Sequence, residues 1–205
     1  DKHYVKSLKQ YKQALTSLPT LPADVRVGFG LCFERLKKPK RARVAFERVL
    51  ELDPDNVEAL VGLAVLDLNQ PSGGVAAAMV RLKRAYEINQ HNPVVLNHLS
   101  NHFFFKGEYT KAKTLATRAY NNATVPEIRA ESLYYLARLA HVDKDHDAAF
   151  RYYHESAKIW PQYPLPHFGL GQMHLIKKNG RRAATSFETV LALVPENLET
   201  MRVLG

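Results

Sequence analysis

The 205-residue chain is 46% hydrophobic and 24% charged, a balance that builds a packed core and excludes an intrinsically disordered segment. No apolar run approaches the roughly 18 residues needed to cross a bilayer, and Asp1-Lys2-His3 opens no signal-peptide pattern, so no membrane partner is expected. Cys32 is the single cysteine, which excludes an intrachain disulfide and fits a reducing compartment, while 29 Lys and Arg against 20 Asp and Glu give a net charge of +9 spread along the chain.

Taken in chain order, one spacing recurs. Ser7, Tyr11, Ala14 and Pro19 read as the second helix of a repeat that has lost its first, over residues 1–22. Gly30, Ala42, Phe46 and Pro54 give the full ruler over 23–56. Ala64, Ala78, Leu82 and Gln90 repeat it over 57–92, where Asn69-Gln70-Pro71-Ser72-Gly73-Gly74 lengthens the turn. Ser100, Ala112, Ala116 and Thr124 fit it over 93–129 without the proline. Ala137, Ala149, Tyr153 and Pro161 follow over 130–163, then Gly171, Ala183, Phe187 and Pro195 over 164–197. Leu204-Gly205 starts another repeat over 198–205, so the chain is expected to be an excerpt from a longer array.

The spacing predicts first helices near 23–36, 57–69, 93–106, 127–142 and 164–177, and second helices near 40–52, 75–89, 109–122, 147–159 and 181–193. No stretch alternates with period two, so no sheet is expected. An apolar residue (Phe29, Leu63, Leu99, Leu136 and Leu170) precedes each small residue. Small residues such as Gly30, Ala137 and Gly171 let paired helices approach, with Ala42, Ala149 and Ala183 as their counterparts on the second helices. Phe46, Tyr153 and Phe187 fill the gap to the next repeat, and Pro54, Pro161 and Pro195 end the second helices. This order of apolar, small, alanine, aromatic and proline positions, over about 34 residues, resembles the tetratricopeptide repeat. The resemblance implies an all-α superhelical solenoid of antiparallel helix pairs.

Some segments are more individual: Asn92-Pro93-Val94-Val95-Leu96-Asn97-His98-Leu99-Ser100-Asn101-His102-Phe103-Phe104-Phe105, Ala59-Leu60-Val61-Gly62-Leu63-Ala64, and His167-Phe168-Gly169-Leu170-Gly171-Gln172. With Phe187-Glu188-Thr189-Val190-Leu191 and Glu199-Thr200-Met201, they resemble the family of large tetratricopeptide scaffold subunits of the RNA polymerase II-associated factor complex. That resemblance implies a nuclear, non-catalytic scaffold in transcription elongation, linked to histone modification. The partners it implies are the complex's namesake subunit, its parafibromin-type subunit and RNA polymerase II. An adaptor of a chaperone or ubiquitin-ligase assembly is the alternative, with a nucleic-acid-binding module behind it.

Chemical motifs are weak. His98 and His102 share a helix face but have no third ligand nearby, so no metal is expected. Gly28-Phe29-Gly30 and Gly169-Leu170-Gly171 lack the third glycine and the preceding strand of a phosphate loop, so no cofactor is expected. No nucleophile elbow or paired-cysteine cluster marks catalytic residues. Lys37-Lys38-Pro39-Lys40-Arg41 and Lys177-Lys178 with Arg181-Arg182 read as solvated turns, with nuclear import or an acidic partner as rivals. Nucleic acid is not favoured, because no aromatics are interleaved with those charges.

The groove lined by first helices is the strongest functional candidate. By register it should carry Val27, Gly28, Leu31, Val61, Gly62, Val65, Asn97, His98, Asn101, Phe105, Tyr134, Tyr135, Arg138, Phe168, Gly169 and Gln172. Such a surface suits a helix or an extended hydrophobic segment. Gly28, Gly62 and Gly169 share one slot, where glycine costs about 1 kcal/mol relative to alanine in a helix. A partner backbone lying against them would explain the choice; a neighbouring helix of the protein itself is the other explanation.

Overall fold

A computed structural model describes residues 2–17, 22–70 and 73–204. Pro19, Pro71, Ser72 and Gly205 of the sequence pattern lie outside the described residues. Among those described there are helices and no strand, in the order α1 (Lys2–Ser17), α2 (Ala23–Arg35), α3 (Pro39–Leu52), α4 (Val57–Leu68), α5 (Val75–Ile88) and α6 (Pro93–Phe105). The series continues with α7 (Tyr109–Asn122), α8 (Pro126–Val142), α9 (His146–Ile159), α10 (Pro164–Ile176), α11 (Gly180–Leu193) and α12 (Leu198–Leu204). The all-α architecture read from the spacing is the one observed. The boundary expected between 129 and 130 falls inside α8, which starts earlier because Pro126 is pre-set for a first helical turn.

The chain forms two compact units, residues 1–90 and 91–205. In the first, α2 pairs with α3 and α4 with α5; α1 packs on α2, α3 on α4, and the first helices α2 and α4 touch. In the second, the pairs are α6 with α7, α8 with α9 and α10 with α11, and the first helices α6, α8 and α10 adjoin in turn. Short turns force each pair antiparallel.

Local chemistry sets the helix ends. Asn56, Asn92, Asp145 and Asn179 each accept a hydrogen bond from a backbone N–H of the first turn that follows. At the turn inside each of the five pairs the backbone enters the left-handed region, at Lys37, Gly73, Gly107, Lys144 and Lys178. Glycine takes that conformation without strain; the three lysines do not. After the second helices, Asp53, Trp160 and Val194 are extended, as a following proline requires. Asn89 adopts the same geometry before Gln90, so the proline reinforces a break that the chain makes anyway.

The packing positions are buried: Ala42, Phe46, Ala137, Ala149, Tyr153, Ala183 and Phe187 expose 2% or less. Ser100, in the small-residue slot, donates its hydroxyl to the Ala112 carbonyl at 2.8 Å and ties α6 to α7, as Ser156 ties α9 to the Ala130 carbonyl of α8 at 2.6 Å. Asp67 on α4 is clamped between Arg43 of α3 at 2.6 Å and Arg81 of α5 at 2.9 Å, with its side chain 5% exposed. Burial alone would push this carboxyl up, but the two arginines hold it below the usual carboxylate range.

Candidate partner-binding groove

The glycine slot is occupied from within. A methyl carbon built at Gly28 would lie 2.5 Å from Tyr11 Cζ, at Gly62 2.5 Å from Phe46 Cζ, and at Gly169 2.5 Å from Tyr153 Cε1. Each glycine therefore receives an aromatic ring from the second helix of the preceding pair, which takes the space a side chain would fill. The second glycine of each helix receives a ring from its own pair: Phe46 abuts Gly30, and Phe187 abuts Gly171. The doublets Gly28-Phe29-Gly30 and Gly169-Leu170-Gly171 thus accept two rings each. Where α7 offers the small Ala116, the slot carries Tyr135, which is 9% exposed and fills the same space from the other side. Gly28, Gly62 and Tyr135 are packing residues, a correction to their place in the groove, whereas Gly169 both receives the Tyr153 ring and lines the concavity of the second unit.

Asn97 is also withdrawn from the surface. It is fully buried, donates to the Ile128 carbonyl and to Glu131, and accepts from the Ser132 hydroxyl at 2.9 Å. The Tyr135 hydroxyl donates to Glu131 at 3.0 Å, so α6 and α8 are joined by a polar network in which a buried amide is satisfied. Val27 belongs to the core of the first unit. His98 is half-buried, and among the described residues no three ligating side chains gather to hold a metal.

What remains accessible differs between the units. In the first, Leu31 is 47% exposed, while Val61 and Val65 are half-buried. In the second, a concavity of about 410 Å³ opens among α6, α8, α10 and α12, with Tyr134, Arg138, Phe168, Gln172 and Glu199 in its wall. Arg138 is its centre. The guanidinium carbon sits 3.9 Å from the Phe104 ring centroid, 5.1 Å from Phe105 and 5.6 Å from Tyr134, and one terminal nitrogen donates to Asn101 Oδ1 at 2.8 Å. Stacking and the amide hold the fork in place, while Asn101 is its one hydrogen-bond partner among the described residues.

Behind Arg138, Tyr134 lies against Tyr135, Tyr153 and Tyr163 at 5.5–6.1 Å. Burial raises the hydroxyl pKa of Tyr134, and more strongly those of Tyr153 and Tyr163, so all three remain neutral donors. His141 also lines the concavity, its pKa lowered by burial and by neighbouring His146. Phe105 is 75% exposed, a large apolar face beside a fixed cation. The arrangement offers an apolar and aromatic floor, one oriented guanidinium and one carboxylate, which suits a peptide segment. The site also uses Phe104, His141, Leu165 and Glu199, which register alone did not assign to the groove.

Profiles described as tetratricopeptide repeat match residues 23–56 and 99–164. The chain is an array of tetratricopeptide repeats. It is 41% identical to the Protein CTR9 homolog of Arabidopsis thaliana over 98% of its own length and 19% of that protein, and 35% identical to the RNA polymerase-associated protein CTR9 of Caenorhabditis elegans over 100% and 18%. The chain therefore spans about a fifth of the curated relatives it matches. Among solved structures, the APC/C hetero-tetramer Cut9-Hcn1 shares this repeat fold, with a TM-score of 0.69, 18% identity, and coverage of 97% of this chain and 45% of that one.

Proposed function

We propose that this tetratricopeptide array is a section of a non-catalytic scaffold in an RNA polymerase II-associated complex, acting in the nucleus during transcription elongation and linked to histone modification. The reading rests on one observation, the similarity to CTR9 proteins across all the repeats at 35–41% identity. The groove chemistry supports the mode of action. Phe168 and Tyr134 in the concavity and the exposed Phe105 beside Arg138 offer apolar contact, and Arg138 is held ready for a carboxylate or a backbone carbonyl of a bound segment. The partners we assign are the namesake and parafibromin-type subunits, with the polymerase reached through them or directly. The repeat boundaries proposed are those of the spacing, with the fourth repeat moved back to Pro126. A chaperone or ubiquitin-ligase adaptor gains no support, since the likeness to Cut9-Hcn1 at 18% identity concerns the fold alone.

Affinity purification of the tagged chain from nuclear extract, read by mass spectrometry, tests this. Enrichment of the two named subunits is expected. Recovery of a chaperone or ubiquitin-ligase set in their place would overturn the assignment.

A further inference from the structure

On the first unit, α1 and α3 flank α2 and leave an open cleft of about 480 Å³. Its floor is apolar: Phe29 and Phe33 from α2, Leu15 from α1 and Val44 from α3. Val44 is 66% exposed, although it lies within a helix whose Ala42, Phe46 and Val49 are fully buried. The rim is basic, formed by Arg26, Lys40, Arg41 and Arg48, and no carboxylate lines the cleft. The repeat does not require this chemistry. At the register position of Arg26 the next three repeats place Leu60, Leu96 and Leu133, each 4% exposed or less.

The basic turn at Lys37–Arg41 thus has aromatics beside it after all, brought from α2 and not from the turn itself. The Arg41 guanidinium carbon lies 6.0 Å from the Phe33 ring centroid. Phe29 is packed between Tyr11 at 5.6 Å and Phe33 at 6.4 Å. Arg48 also pairs with Glu51, both exposed, at the solvent edge.

We propose that this cleft docks an acidic polypeptide segment, which buries one or two large aliphatic or aromatic anchors on Phe29, Phe33 and Val44 while its carboxylates meet Lys40, Arg41 and Arg48. Charge complementarity selects the sign of the partner, and the floor selects its anchors. A nucleic acid meets the cations but gains little from the floor, because the rings are packed on one another and Arg41 already covers Phe33, leaving few faces for base stacking. The surface is separate from the Arg138 groove, so it stands whether or not the polymerase reading holds.

The test is fluorescence anisotropy of the chain with a labelled acidic peptide carrying leucine and phenylalanine anchors one helical turn apart. Val44→Asp and, separately, Arg48→Glu should each weaken binding about ten-fold or more. Arg138→Ala should leave it unchanged. Both test positions are exposed, and thermal melts confirm that each variant keeps the parent fold. Unchanged affinity in the folded Val44→Asp variant would overturn the proposal. So would equal binding of the peptide with its anchors replaced by serine, which would reduce the effect to bulk charge, or tighter binding of a single-stranded oligonucleotide of equal charge.

Discussion

Replacing Gly62 with leucine separates a packing slot from a binding slot. The added Cβ would sit 2.5 Å from Phe46 Cζ, against about 3.5–4.0 Å for ordinary carbon contact. The ring cannot retreat, because its other face abuts Gly30 and Phe46 is fully buried. Overpacking costs about 1–3 kcal/mol. Leucine recovers up to about 1 kcal/mol of helix propensity, so a net loss of roughly 1–2 kcal/mol is expected. For a chain of this size that lowers Tm by about 2–8 °C, measurable by circular dichroism. A second variant makes the reasoning sharper. Phe46→Ala alone should cost about 3–5 kcal/mol. Adding Gly62→Tyr to it places a ring in the vacated space, as Tyr135 does opposite Ala116, and should restore part of the loss. A Gly62→Leu chain that melts at or above the parent would refute the ring-in-glycine account, as would a double variant less stable than Phe46→Ala.

Lys144 holds φ at 61°, so Lys144→Gly should raise stability by about 1 kcal/mol, read as a higher Tm; a drop would show that the lysine side chain matters more than its backbone. Asp67 has a depressed pKa in the fold, so its contribution is complete above the unfolded value of about 3.9 and lost as pH falls through the lower folded value. Asp67→Asn should therefore be less stable than the parent at neutral pH, and its Tm should fall less than the parent's between about pH 5 and 3. Equal acid sensitivity of the two chains would remove Asp67 from that role. Ser100→Ala removes the bond to the Ala112 carbonyl and should cost about 1 kcal/mol by chemical denaturation, whereas an unchanged midpoint would make the bond neutral.

The helices and their pairing were legible because the small, alanine and aromatic positions recur in one register. For the glycine slot the spacing leaves two explanations, a partner backbone or a neighbouring helix, and the structure supplies the second. Tyr11, Phe46 and Tyr153 each precede a glycine by about one half-repeat, and the slot that follows Ala116 holds a tyrosine. Register alone assigns Asn97 to the groove, because its partners Ile128, Glu131 and Ser132 lie on the next first helix and its own spacing does not reveal them. The Arg43–Asp67–Arg81 clamp was out of reach because its members come from three helices. The Phe104–Arg138 stack depends on the relative rotation of α6 and α8, which periodicity alone does not set.

The scaffold account turns on Arg138 and the surface around it. Isothermal titration of the chain with the purified namesake and parafibromin-type subunits, parent against Arg138→Glu, is the most direct measurement. The parent should bind at least one of them, and Arg138→Glu, with an unchanged melt, should weaken that binding by about ten-fold or more. A parent that binds neither subunit, or a folded Arg138→Glu variant that binds as the parent does, would contradict it.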